Sequence, residues 1–215
     1  MSATTRYAAM SRRAAMTAAA LTAMVALAGC NSGGAGAAAE GDMAMGAPEG
    51  AKVTVVEYAS VTCPHCAAWQ DNTWEAFKTA YVDTNKVRYV FRELPTPPAP
   101  VAVAGFAVAR CAGEDRYFQV VHELMSDQRA FVSDPRTTLM RVGNGVGLSE
   151  QEVQACITDE AALKAADDRA QAATKAGVTT TPAFFVNGTQ VITPGGEGPS
   201  MEDLSKAIEA ELAKG

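Results

Sequence analysis

The chain has 215 residues, 48% of them hydrophobic, with a formal net charge of −6. That length and apolar content suit a single folded domain and exclude a disordered chain. The acidic balance excludes a nucleic-acid binder working through phosphate contacts.

Arg6, Arg12 and Arg13 precede "AAMTAAALTAMVALAGC", an apolar stretch too short for a membrane span and ending in small residues, as an export signal does. Leu27-Ala28-Gly29-Cys30 resembles a bacterial lipoprotein signal, in which Cys30 is lipidated on sulfur and becomes the first mature residue. The alternative is an ordinary secretory signal cut near Gly29 with an incidental cysteine. Residues 1–29 are therefore expected to be removed. With three arginines gone, the formal net charge moves from −6 to about −9. Membrane contact is then expected from lipid at Cys30, not from attraction to anionic head groups. Residues 30–50, rich in Gly and Ala and without apolar periodicity, are expected to form a flexible tether reaching about 25 Å.

From Lys52 the pattern changes. "KVTVVEYAS" reads as a buried strand. "CPHC" then opens a helix whose bulky apolar members are Trp69, Trp74, Phe77 and Tyr81. In "KVRYVFREL" the alternation of Val87, Tyr89 and Phe91 with Arg88, Val90 and Arg92 gives a second strand, so residues 51–95 form a βαβ unit. The prolines of "PTPPAP" (Pro95 to Pro100) continue neither element. Residues 96–176 read as helices only. Ser133-Asp134-Pro135 supplies a cap with a first-turn proline, Ser149 with Glu152 has capping-box spacing, and an Ala-rich helix runs from about Glu160 to Lys175. In residues 177–215 the β pattern returns: two apolar runs flank Asn187-Gly188, a pair suited to a tight hairpin, and a last helix follows Ser200. The predicted fold is α/β, a thioredoxin fold with an all-helical insertion between its βαβ and ββα halves.

The chemistry is concentrated at Cys63-Pro64-His65-Cys66. If Cys63 enters a helix with Pro64 at its first position, Cys66 lies one turn on, close enough for a disulfide to open and close without moving the backbone. First-turn N–H groups and the helix dipole would stabilise a Cys63 thiolate. His65 would add a donor and, when protonated, a charge, lowering its pKa further. A metal module is the competing reading, because a CxxC pair supplies two soft ligands. Structural zinc takes four, however, and Cys111, Cys156 and His122 are each isolated in sequence. No metal site is expected, and His122 reads as a helix-surface or core-edge residue. Cys111 and Cys156 are expected to pair with each other, since the CxxC closes locally. The rival is two buried unpaired thiols.

"VEYASVTCPHC", the helical insertion and "TTPAFFVNG" together resemble the DsbA family of thiol-disulfide oxidoreductases, in its lipid-anchored or tethered branch, over about Lys52 to Leu212. The resemblance implies that Cys63 is the surface nucleophile and Cys66 its buried partner. Pro182 would be a cis-proline facing the pair, and Thr181 would offer main-chain groups to an extended substrate. Glu57 would be a proton relay to Cys66, although from its own surroundings it could equally be a salt-bridged structural group. The resemblance implies no cofactor beyond the sulfur pair. Its substrates would be exported proteins with free thiols, in the periplasm, and a quinone-linked membrane protein would regenerate the disulfide. Pro-His between the cysteines favours a disulfide-donating oxidase, while threonine before the cis-proline is shared with reductase and isomerase relatives.

Overall fold

The computed structural model describes residue 36 and residues 38–195 and 198–214. Cys30, with the expected signal and lipid attachment, lies outside the described residues. Among them, strands β1 (Met43–Gly46), β2 (Thr54–Ala59), β3 (Arg88–Glu93), β4 (Ala183–Val186) and β5 (Thr189–Val191) form one sheet in the order β1-β3-β2-β4-β5. β2 and β3 are parallel, with Val55 opposite Tyr89 and Glu57 opposite Phe91, and the other neighbours are antiparallel.

β1 corrects the expectation of a flexible tether through residue 50. Met43 to Gly46 pair with Phe91 to Arg88, and Met43 is buried. Arg92 holds Asp42 through two hydrogen bonds, at 2.8 and 2.7 Å, and Arg110 donates to the Gly41 carbonyl at 3.1 Å. A four-residue strand with neighbours as small as Gly and Ala carries almost no pattern of its own; it forms because the edge of β3 would otherwise be left unpaired.

Between β2 and β3 the helix α1 (Pro64–Trp69) runs on through a π segment (Gln70–Trp74), a short α turn (Glu75–Phe77) and a second π segment (Lys78–Val82). Trp69 and Trp74 are five residues apart, more than the about 3.6 of one α turn, so a regular helix could not aim both at the core. The wider π turn brings them to one side. Both are buried, with Trp69 on Phe184 at 4.4 Å and Trp74 on Tyr89 at 4.9 Å between ring centroids.

From β3 to β4 the elements are helices: α2 (Ala99–Cys111), α3 (Glu114–Ser126), α4 (Gln128–Ser133), α5 (Pro135–Gly145), α6 (Glu150–Thr158) and α7 (Glu160–Lys175). The caps are local. Asp134 accepts from the Thr137 N–H, Ser149 and Glu152 form the reciprocal capping box, and Asp159 accepts from the Ala162 N–H. Cys111 at the end of α2 and Cys156 in α6 are joined by a disulfide. The insertion shares one core with the sheet, because Phe91 and Tyr89 pack with Phe106, Tyr117 and Phe118. At its edge the buried Glu93 carboxylate is held by Arg110 at 2.6 Å, Arg169 at 2.7 Å and the Tyr117 hydroxyl at 3.0 Å.

Val56, Tyr58, Val90 and Phe185 face the other side of the sheet, against Ala173 and Val178. Asn187 and Gly188 turn the β4–β5 hairpin at φ 45° and 83°, a conformation these two residues adopt more readily than others. The Asn187 side chain also takes the Thr54 N–H at 2.9 Å and donates to the Lys52 carbonyl at 3.0 Å, fixing the hairpin to the start of β2. Helix α8 (Met201–Ala213) is capped by Ser200 and buries Leu204 and Ile208.

Candidate active site

The sulfur pair sits where β2 ends. Cys63 is the N-cap of α1, with extended φ and ψ of −85° and 116°, and Pro64 follows at a position where no N–H is needed. The preceding turn is closed by the Cys63 N–H on the Ser60 carbonyl at 3.1 Å. Ser60 and Thr62 join hydroxyls at 3.1 Å, and Thr62 donates to the Thr96 carbonyl at 2.8 Å, tying the turn to the segment after β3.

Both cysteines are free thiols. Cys66 is fully buried and Cys63 is 4% exposed, so the expected surface nucleophile presents only a narrow window. The Cys63 sulfur accepts from the Cys66 N–H at 3.4 Å and lies 3.5 Å from the Thr181 carbonyl, to which its thiol can donate. The Thr181-Pro182 peptide bond is cis.

These contacts separate the two acidities. The Cys63 pKa is lowered to about 6. The largest cause is the hydrogen bond from the Cys66 thiol; burial opposes it, and the Thr181 side chain and the N–H groups of Cys66 and His65 assist. Helix-start N–H groups therefore contribute, as expected from the sequence, but less than the neighbouring thiol, which was no part of that expectation. His65 acts here through its backbone, and its ring is exposed. The Cys66 pKa is raised well above the ordinary range, first by burial, then because its proton serves Cys63.

Glu57 lies in the sheet on the side facing these sulfurs and is buried. Its partner is the Tyr89 hydroxyl, which donates to it. No ion pair to Glu57 is formed among the described residues, so the salt-bridged reading of this residue is replaced by a carboxyl–phenol pair. Burial pushes its pKa up to about 8, against the lowering effect of Tyr89, and the charge of Cys63 adds to the rise. At neutral pH the carboxyl is mostly protonated. His122 is neutral there as well, its pKa lowered to about 4 by burial and by Lys78, and its ring packs edge-on to Trp74 at 4.6 Å between centroids.

Cys63, Cys66, Glu57, Thr181 and Pro182 thus meet at one end of the sheet, while Cys111 and Cys156 lie in the insertion. Among the described residues no three of His, Cys, Asp and Glu come together as a metal site. Sequence reasoning missed three groups here. Tyr89 had a readable signal, since it shares with Val87 and Phe91 the side of this stretch that faces the core. Gln128, which reaches the Val61 and Cys63 carbonyls, and Gly198, where a Cβ would collide with Trp69 and Pro182, had none.

Residues 38–210 match the family model described as Thioredoxin. The chain belongs to the thioredoxin family. Within that family it is DsbA-like. It superposes on Wolbachia pipientis alpha-DsbA1 with a TM-score of 0.71 at 25% identity, covering 82% of this chain and 94% of that one. Bacillus subtilis BdbD shares the fold at 17% identity, with a TM-score of 0.68 over 80% of this chain and 92% of that one. In sequence, this thioredoxin-family chain is 32% identical over 177 residues to a Rickettsia bellii protein named "Putative protein-disulfide oxidoreductase". The match covers 80% of this chain and spans 65% of that relative's length.

Proposed function

We propose that the protein is a thiol-disulfide oxidoreductase that donates the Cys63-Cys66 disulfide to exported proteins. In the first step a substrate thiolate attacks the Cys63 sulfur, a substrate–Cys63 disulfide forms, and the Cys63–Cys66 bond breaks with Cys66 leaving as a thiolate. Cys66, a weak acid, takes up a proton, and the buried, protonated Glu57, whose charge when ionised acts on Cys66, is the proposed donor. In the second step another substrate thiolate attacks the substrate sulfur of the mixed disulfide and Cys63 leaves with the electron pair. The substrate is oxidised by two electrons and the enzyme is left as a dithiol.

The observation that carries this direction is the low pKa of Cys63 beside a far weaker acid. A stabilised Cys63 thiolate is a good leaving group, and it stabilises the reduced enzyme, which makes the disulfide form a strong oxidant. Regeneration requires an acceptor for two electrons, for which a quinone-linked membrane protein is the proposed partner. The proposed location is the periplasm, with Cys30 lipidated. Thr181 is the proposed main-chain partner of an extended substrate, beside the cis-Pro182.

Equilibration of the pair against glutathione tests the direction. An oxidising potential, with oxidation of a reduced unfolded protein that is lost in Cys63→Ser, is expected. A strongly reducing potential would reassign the protein as a reductase or isomerase. No exchange activity in either direction would end the enzyme reading altogether.

A further inference from the structure

Gln128 is the first residue of α4, in the helical insertion, and its side-chain nitrogen donates to two backbone carbonyls of the turn that carries the nucleophile. The distances to the Val61 and Cys63 oxygens are both 3.0 Å. One amide nitrogen has two hydrogens, so each carbonyl receives one and the donor capacity of the group is used up. The Cys63 carbonyl already accepts the first two bonds of α1, from the N–H groups of Cys66 at 3.1 Å and Ala67 at 3.2 Å. Gln128 therefore adds a side-chain donor at the oxygen of the capping residue itself.

The sulfur of Cys63 and its carbonyl hang from the same Cα. Holding the carbonyl from outside the helix fixes that backbone, and with the side chain in its present rotamer it holds the sulfur against the Cys66 N–H. The element bearing Gln128 is itself firmly seated: Phe131, one turn on in α4, is fully buried. In α2, Gly105 lacks the Cβ that would lie 3.0 Å from Leu124, Phe131 and Val61, so the insertion packs directly on the turn.

We propose that Gln128 is a positioning residue, a two-pronged clamp from the insertion that holds the Cys63 sulfur against the first-turn N–H groups of α1 and so sets how oxidising the pair is. This rests on the thiol-disulfide reading of the site. Through it the insertion contributes to the chemistry of a sulfur pair carried by the thioredoxin half.

The test uses the full chain and three variants. Gln128→Met keeps the length and removes both donors. Gln128→Glu presents only acceptors to two carbonyls and a negative charge near the thiolate. Gln128→Lys keeps donors. Cys63 is titrated by thiolate absorbance and by alkylation rate against pH, neither of which needs turnover, and the pair is equilibrated with glutathione. A net hydrogen-bond contribution of ordinary size predicts that Cys63 becomes about three- to tenfold less acidic in Gln128→Met and that the equilibrium moves toward the disulfide form by the same factor. Gln128→Glu should be affected more, and Gln128→Lys should remain close to wild type. Acidity and equilibrium within twofold of wild type in both Met and Glu variants would overturn the proposal even if the melting temperature fell, because that is the signature of a purely structural tie. Should Gln128→Met not fold, the Glu and Lys pair decides by the same comparison. An ordinary thiol acidity in the wild type would instead remove the thiol-disulfide reading and this proposal with it.

Discussion

Tyr89 donates its hydroxyl to the Glu57 carboxyl from the neighbouring parallel strand, and both groups are shut away from water. The bond opposes the burial that raises the Glu57 pKa to about 8. If Glu57 protonates the departing Cys66, formation of the mixed disulfide should slow as pH rises through 8. Tyr89→Phe should move that limb upward by about one pH unit, the equivalent of one hydrogen bond. Glu57→Gln should abolish the limb and slow the step about a hundredfold. Rapid-mixing kinetics with a peptide thiol would measure both, and an unchanged limb in Glu57→Gln would exclude the relay.

Stability should depend on pH differently in the two redox forms. Cys63 titrates only when reduced, and its pKa in the folded protein, about 6, lies below the ordinary value of 9.0. Its ionisation therefore stabilises the reduced fold fully above pH 9, and this contribution is lost as pH falls toward 6. Glu57 has the opposite sign: its pKa is raised from 4.5 to about 8, so stability is lost in both forms as pH rises through that window. Burial of Glu57 is common to both forms and cancels in the difference, which leaves Cys63 and, acting against it, the smaller part of the Glu57 shift that the Cys63 charge causes. The reduced protein should gain on the oxidised one by up to about 1.4 kcal/mol per pH unit between pH 6 and 9. Paired denaturant melts across that range would show it, and a pH-independent difference would contradict the Cys63 acidity.

The disulfide between Cys111 and Cys156 closes a sequence separation of 45 residues within the insertion. In the chain-entropy model a loop of that size restricts the unfolded chain by about 4 kcal/mol. The double substitution to Ala should lower the unfolding free energy by about that amount while leaving the Cys63 acidity unchanged. Nonreducing peptide mapping after blocking free thiols should recover the crosslinked pair, and recovery of both cysteines alkylated would show that they do not pair.

Gly198 approaches Trp69 and Pro182 with φ of 141°, and a Cβ there would sit 2.8 Å from the indole and 3.0 Å from the proline ring. Trp69 is held in turn by its indole N–H on the Pro199 carbonyl at 2.8 Å. Gly198→Ala should cost about 1–3 kcal/mol through backbone strain and displacement of these neighbours. Because the displaced group includes the cis-proline, exchange with peptide thiols should suffer more than exchange with glutathione. Equal loss for both thiols would separate this loop from substrate docking.

Much of the fold was legible in the chain because its signals are local. β-branched runs, a proline at a helix start, the Ser149–Glu152 box and the Asn187-Gly188 turn each act within a few residues, and the structure uses all of them. The CPHC spacing likewise placed two sulfurs on one helical turn, with the first at the cap. What failed was non-local. The strand at Met43 exists only because β3 offers an edge to it, and the π segments of the first helix exist because Trp69 and Trp74 must both reach the core.

The site divides in the same way. Sequence by itself determined which groups are proposed to react, since the identity of Cys63, Cys66 and Glu57 and the position of a proline at 182 are properties of the chain. Tertiary structure decided their chemistry. Burial, the Cys66 proton and Thr181 set the acidity of Cys63; Tyr89 and the closed sheet face set that of Glu57; and Gln128 reaches the turn from more than sixty residues away. Acidity and position depend on what packs around a group, and no spacing along a chain encodes that.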